Sequence, residues 1–225
     1  SAAAAALSAK GQQLLPSVNV LDGKAKQFDD GLMAALHLAA ARGPAAGPAS
    51  DIGAFLDALL DRLEPGGKAY AWVWAGLKAG GRLAPSRAAS VPGDSQRFLD
   101  DFGQEPGSKP FGFYGWSPEL GEAYILLRYF QEELGPRDPR AVEIAGLLAR
   151  EPGLMARYVR LLEWLSRLET GASRAPSFAD AAEARGAGAA VPQRTKSLLP
   201  CPRSKEDLLF GKLFGGGLPA GADLM

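Results

Sequence analysis

Histidine and cysteine, which often carry catalysis or bind metals, occur once each in this 225-residue chain. A Ser-His-Asp triad or a histidine-ligated metal site would have to use His37. Cys201 alone excludes an internal disulfide and a multi-cysteine metal site. His37 lies among Met33, Leu36 and Leu38, which favours helix packing over catalysis. The motifs HExxH, GxSxG, GxGxxG and the Walker loop are also missing, so we predict no cofactor and no bound metal.

Carboxylate pairs are the remaining candidates for acid–base chemistry. Three pairs are adjacent in sequence, and neighbours on a helix point about 100° apart; they are Asp29 with Asp30, Asp100 with Asp101, and Glu132 with Glu133. Asp57 and Asp61 instead share a helix face, so burial of this pair would raise the pKa of one member. We favour the alternative, a solvated face beside Arg62.

Aromatic residues are concentrated in the segment 109–119, KPFGFYGWSPE, which ends at Glu119 on a predicted helix N-terminus. Its four rings are those of Phe111, Phe113, Tyr114 and Trp116. In a structural interpretation the rings fill a junction between two parts of the chain. In a functional one they line a groove where a peptide or sugar stacks, and the N–H groups of the helix start bind an anionic group.

A second aromatic segment, AYAWVWAGL at 69–77, contains Tyr70, Trp72 and Trp74. The aromatic residues alternate as in a strand, whereas the alanines and the following Gly80-Gly81 favour a short helix, which we predict. If the chain has a pocket, Tyr70, Trp72 and Trp74 are predicted to line it together with the rings of 111–116.

The run PFGFYGWSPEL, followed by an aromatic-rich helix from Tyr124 to Phe130, resembles a stretch of large secreted or lipid-anchored bacterial proteins of unknown function. The resemblance covers about residues 98–130, and those proteins are much longer than this chain. It implies an extracytoplasmic bacterial protein, of which this chain is one portion. The chain begins at Ser1 without an initiator Met, which fits a processed or trimmed product.

Composition predicts a folded chain with few classes of partner. The chain is 47% hydrophobic and 22% charged, near globular averages. Lys plus Arg (25) balances Asp plus Glu (25), so we expect no nucleic-acid partner. No apolar run approaches the roughly 20 residues that span a bilayer. We predict a single domain over 1–225; the composition also allows subdivision into 1–103 and 104–214, with a tail at 215–225.

Capping residues and apolar spacing predict the elements that position these side chains. Ser50 or Asp51, Ser117-Pro118, Asp138-Pro139 and Glu151-Pro152 each precede helical apolar spacing. The predicted helices are 24–42, 51–64, 69–77, 94–102, 117–134, 138–150, 152–170, 177–185 and 204–214. The three that begin at 117, 138 and 152 should pack as antiparallel neighbours. Loops are expected at 82–93 and 104–115, and extended chain at 192–202.

These patterns predict an all-α fold, an irregular orthogonal or antiparallel bundle with long Ala/Gly/Pro-rich loops. The function we expect is a non-catalytic interaction domain that binds a protein partner or the remainder of a larger chain. The alternative is a solute- or glycan-binding protein, or a carboxylate-dependent hydrolase with an aromatic-lined pocket. The candidate binding residues are Trp72, Trp74, Phe111, Phe113, Tyr114, Trp116 and Glu119.

Overall fold

The computed structural model describes residues 17–43, 51–168, 177–187 and 197–200, and these residues form nine α-helices and no sheet. The predicted all-α class is therefore confirmed. The helices are α1 (Val18–Arg42), α2 (Ile52–Leu60), α3 (Lys68–Ala79), α4 (Pro85–Ala88), α5 (Ser95–Gln104), α6 (Pro118–Tyr129), α7 (Pro139–Arg150), α8 (Pro152–Leu168) and α9 (Phe178–Gly186). Two 3-10 helices, Pro106–Ser108 and Gly112–Gly115, lie between α5 and α6.

The chain divides into two compact units, Ser1–Leu36 and His37–Met225, with the boundary inside α1. In the first unit, α1 begins at Val18, six residues before the predicted start at Lys24. Ser17 explains the earlier start, since its hydroxyl accepts a hydrogen bond from the Val20 N–H at 3.4 Å, and its backbone carbonyl accepts from the N–H groups of Val20 and Leu21, both at 3.0 Å. A serine in this position satisfies the free donors of a first helical turn.

Helix α3 is the central element of the second unit and contacts α2, α5, α6 and α7. Eight of its twelve residues are buried. The alternating tryptophans therefore reflect a helix that is apolar on almost every side, which is the pattern of a fully buried helix. The prediction of a helix at 69–77 is confirmed, with one additional residue at the N-terminus and two at the C-terminus.

Gly76 allows α3 and α6 to approach each other closely. A Cβ atom at this position would overlap the rings of Phe130 and Tyr129. The other end of α3 starts at Gly67, which has no side chain to cap the helix; instead, the Glu143 carboxylate of α7 accepts a hydrogen bond from the Ala69 N–H at 3.0 Å. Both ends of α3 are thus positioned by neighbouring helices.

Four predicted helix starts have a side-chain cap in the structure. The side chains of Asp51, Ser117, Asp138 and Ser177 accept hydrogen bonds from backbone N–H groups of the first turn. The cap of α6 is the Ser117 hydroxyl, which accepts from the Leu120 N–H at 3.3 Å. Pro118 and Pro139 occupy the first turn, where a missing N–H costs nothing.

The segments predicted as loops contain short helices. Helix α4 lies within 82–93 and both 3-10 helices lie within 104–115, each too short to show apolar periodicity. Helices α2 and α6 end at Leu60 and Tyr129, earlier than predicted. The predicted helix at 204–214, the tail and most of 192–202 lie outside the described residues. Within the described part, no helix has the length and apolarity needed to cross a bilayer.

Candidate functional site

The aromatic segment 109–119 folds into a turn that leads into the start of α6. Phe111 precedes the 3-10 helix Gly112–Gly115 and Trp116 follows it. Gly112 has a positive φ of 59°, a conformation that residues with a Cβ rarely adopt. We call the side chains of Phe111, Phe113, Tyr114 and Trp116 the aromatic patch.

The patch has two exposed rings and two half-buried ones. Phe111 and Trp116 are 69% and 59% exposed, whereas Phe113 and Tyr114 are of intermediate burial. Phe113 contacts both Tyr114 and Trp116, and its ring centroid lies 4.2 Å from that of Tyr114 and 6.2 Å from that of Trp116. Monomeric proteins seldom expose contiguous apolar patches unless those patches bind a partner or a ligand.

Tyr124 of α6 supports the patch from below. Its ring centroid lies 4.7 Å from that of Tyr114 and 5.7 Å from that of Phe111. Its hydroxyl donates a hydrogen bond to the Gly107 carbonyl at 2.8 Å, which ties the preceding 3-10 helix to α6. The exposed ring of Phe111 therefore packs on a side chain whose position is fixed by a hydrogen bond.

His37 is the member of the site that the sequence did not reveal. Its Nδ1 atom is hydrogen-bonded to the Tyr114 hydroxyl at 2.5 Å, and the two rings are nearly parallel with centroids 5.7 Å apart. Burial lowers the pKa of His37 and raises that of Tyr114 to about 12, so both groups are neutral at physiological pH. The helix-packing interpretation of His37 thus acquires a specific partner, 77 residues away in the sequence.

Glu119 lies in the first turn of α6 and is fully exposed. Hydrogen bonds from its own backbone N–H and from the Ser117 side chain hold its pKa below the usual range. The carboxylate is therefore ionised at neutral pH and places a negative charge near the start of α6, where the helix dipole favours it.

Trp72 and Trp74 lie in the core and are fully buried. The indole N–H of Trp72 donates to the Glu132 carboxylate at 2.9 Å, and that of Trp74 to the Arg87 carbonyl at 3.2 Å. Trp72 packs against Tyr129 and Phe130. Among the described residues, no ring contact joins these two indoles to the aromatic patch, so the two predicted segments are not brought together through their rings.

Arg140 organises a polar cluster beside Trp72. Its guanidinium donates to both oxygens of Glu132 at 2.9 Å and to both oxygens of Asp138 at 2.8 to 3.3 Å. It also lies over the rings of Trp72 and Phe98, 5.5 and 5.1 Å from their centroids. Its side chain is 13% exposed. This cluster joins α3, α5 and α7, which is a structural role for a carboxylate considered above for acid–base chemistry.

Asp57 and Asp61 each face an arginine. Asp61 forms an ion pair with Arg87, and an Asp57 oxygen lies 4.0 Å from an Arg82 nitrogen. Partial burial raises the pKa of Asp57, the two arginines oppose this effect, and Asp61 adds to it. Asp61 therefore raises the pKa of Asp57, as expected for two carboxylates on one helix face. Both carboxylates also lie next to an arginine.

A small cavity of about 10 Å³, large enough for a single water molecule, lies between α7 and α9. Leu134, Val142, Phe178 and Arg185 contribute to its walls, and none of the predicted binding residues does. In the described part of the chain, no three His, Cys, Asp or Glu side chains are grouped to hold a metal ion.

Comparisons with known proteins found no relative of this chain. Neither family models, nor curated proteins, nor solved structures match it.

Proposed function

We propose that this chain is a non-catalytic helical interaction domain and that its aromatic patch binds the apolar surface of a protein partner. The partner is either a separate subunit or another part of a larger protein. The observation that carries the proposal is the exposure of Phe111 and Trp116, 69% and 59%, on a supported turn. Exposed aromatic side chains held in place by their neighbours are the residues that most often dominate binding energy in interfaces.

The rigid base of the patch favours binding. Phe113 contacts the ring of Trp116 edge to face, Tyr124 contacts that of Phe111 in the same way, and Tyr114 is hydrogen-bonded to His37. A ring that is already ordered loses little side-chain entropy when a partner covers it. The ionised Glu119, near the start of α6, adds a charge that would favour a partner with a basic group at the edge of its apolar surface.

The direct test is affinity purification of partners with the wild-type chain and with a Phe111→Ala/Trp116→Ala variant, followed by titration of purified components. We expect the variant to bind at least a hundredfold more weakly, since hot-spot aromatic residues each contribute about 2 kcal/mol or more. Val91→Ala is the matched control, because Val91 is also exposed (53%) but lies outside the patch. Equal binding by the wild-type chain and the double variant would contradict the proposal.

The second candidate is binding of a glycan or another solute, since exposed rings such as Trp116 also stack on sugars. Titration with neutral oligosaccharides, followed by tryptophan fluorescence, separates the candidates. Saturable quenching that disappears in Trp116→Ala would favour a sugar ligand. A hydrolase is less favoured, because the low pKa of Glu119 keeps this carboxylate from acting as an acid at neutral pH.

We further propose that the domain works outside the cytoplasm of a bacterium. The support is the resemblance of residues 98–130 to secreted or lipid-anchored bacterial proteins. Fractionation of the source cells, with an antibody against this chain, should place the protein in the periplasm, at the surface or in the medium. Recovery in the cytoplasm alone would contradict this location.

A further inference from the structure

Exposed apolar side chains are concentrated on α1. Five of the eight large apolar side chains that are exposed in the described residues lie on this helix. They are Val18, Val20, Leu21, Phe28 and Leu32, with exposures of 79%, 52%, 55%, 71% and 49%. All five belong to the first unit, Ser1–Leu36.

Four of these side chains follow a heptad repeat. Counting from Val18, apolar residues recur at intervals of three and four residues: Val18, Leu21, Ala25, Phe28, Leu32 and Ala35. Val18, Ala25 and Leu32 take position a of the heptad, and Leu21, Phe28 and Ala35 take position d. A narrow stripe with this spacing is the seam of a coiled coil, rather than the broad face by which a helix packs on a globular core.

The residues around the stripe agree with this geometry. Lys26 and Asp30, at positions b and f on the far side of the helix from the stripe, form an ion pair at 2.9 Å. All six residues of the stripe are exposed. Gly23 and Gly31 lie inside the helix, and nothing lies within 4 Å of a Cβ atom at either position. Each costs helix stability, so α1 would gain from a second helix along its stripe.

The charged residues that flank the stripe indicate which helix would pair with it. Lys24 takes position g, and Asp22 and Asp29 take position e. In a parallel pair, position g contacts position e of the next heptad, so Lys24 faces the partner's Asp29 on both sides. In an antiparallel pair, Asp22 would face the partner's Asp29, which is repulsive. In the first heptad, Val18 at position a and Leu21 at position d also favour two parallel strands; the other a positions hold alanine and leucine, and the other d positions phenylalanine and alanine.

We infer that the apolar stripe of α1 pairs with the same stripe of a second copy of this chain, as a short parallel two-stranded coiled coil. The seam extends over about two and a half heptads, so the interface is small and the dimer dissociates readily. We expect a dissociation constant of about 10 to 100 µM. This dimer uses a surface different from the aromatic patch and does not depend on the function proposed above.

Sedimentation equilibrium of the full chain from about 5 to 500 µM tests the inference, with 23.6 kDa as the mass of the monomer. Leu21→Glu should weaken dimerisation at least tenfold. Val20→Glu is a closely matched control, because Val20 is the adjacent residue and is 52% exposed against 55% for Leu21, but lies off the stripe. A wild-type chain that stays monomeric at about 500 µM, or equal effects of the two variants, would overturn the inference.

Charge variants test the parallel orientation. Lys24→Asp and Asp29→Lys should each weaken dimerisation, and an equal mixture of the two variants should restore it, because opposite charges then face each other. Stronger dimerisation of Asp29→Lys alone would indicate an antiparallel pair and overturn the inference. A dimer that survives Leu21→Glu but is lost in Phe111→Ala/Trp116→Ala would place the contact at the aromatic patch, with the same consequence.

Discussion

The aromatic residues around α3 and those before α6 resemble each other in type and differ in surroundings. Trp72 and Trp74 are fully buried, and both indole N–H groups donate hydrogen bonds to other residues of the fold. Phe111 and Trp116 are more than half exposed to water. The same residue types therefore stabilise the fold in one region and remain available to a partner in the other.

The difference follows from the elements that carry the rings. Helix α3 has neighbours on almost every side, so eight of its twelve residues, including Trp72 and Trp74, are buried. The turn at 111–116 contacts α6, leaving the rings at its two ends without a covering element. Position in the fold, more than residue type, decides which aromatic side chains can bind.

The largest effect should come from the buried group. Trp72→Ala removes a fully buried ring and leaves Glu132 without one of its donors, so the free energy of unfolding should fall by about 3 to 5 kcal/mol. Urea unfolding followed by circular dichroism measures this loss. Trp72→Phe keeps a ring in the site and should lose only about 1 to 2 kcal/mol. A loss below about 1 kcal/mol for the alanine variant would show that Trp72 is not a core residue.

Two glycine substitutions sharpen the account of α3. Gly76→Ala places a methyl group against Phe130 and Tyr129 and should destabilise the fold by about 1 to 3 kcal/mol. Gly146→Ala, in α7, meets only the Arg150 side chain at 3.6 Å and should stabilise the fold by about 0.5 to 1 kcal/mol. Thermal unfolding should therefore shift in opposite directions, and a shift in the same direction would contradict the close crossing of α3 and α6.

Two arginines that contact Phe98 offer a further comparison. Arg140→Met removes the shared partner of Glu132 and Asp138 and should cost about 2 kcal/mol, a value reduced because both carboxylates are partly exposed. Arg97→Met removes a side chain that is 60% exposed and should cost less than about 0.5 kcal/mol. Equal losses in urea unfolding would mean that the cluster around Arg140 adds nothing to stability.

A smaller effect is expected from His37, which is hydrogen-bonded to Tyr114 of the aromatic patch. Burial lowers the pKa of His37 below its ordinary value of 6.5, so the unfolded chain binds a proton more readily than the folded one. The unfolding free energy should therefore be highest above about pH 6.5 and fall by less than about 1 kcal/mol as the pH decreases to about 5.5. Comparison with His37→Gln isolates this contribution, which should disappear in the variant. If the unfolding free energy of His37→Gln still falls with decreasing pH as it does in the wild-type chain, His37 is not the group responsible.

Local features of the sequence were sufficient to predict most of the helices. Ser117-Pro118 and Asp138-Pro139 cap and start α6 and α7 by interactions within one turn, which residue order alone determines. The prediction for α3 was also correct, because its alanines and flanking glycines outweighed the strand-like alternation of Trp72 and Trp74. The short helix α4 and the 3-10 helices were missed, since elements of three or four residues show no periodicity.

The composition of the candidate site could be predicted only in part. The aromatic segment was identified from its own residues, but the hydrogen bond between His37 and Tyr114 joins positions 77 residues apart. The clustering of Arg140 with Trp72 and Phe98 likewise depends on how the helices pack. Exposure is a property of that packing, so the sequence could not distinguish Trp72 from Trp116 as a candidate binding residue.

Urea unfolding of Phe111→Ala/Trp116→Ala beside Trp72→Ala tests the central claim most directly. If the aromatic patch is a binding surface, the double variant should lose less than about 1 kcal/mol of unfolding free energy while Trp72→Ala loses about 3 to 5 kcal/mol. A loss in the double variant as large as that of Trp72→Ala would contradict the claim, because the two exposed rings would then be part of the core.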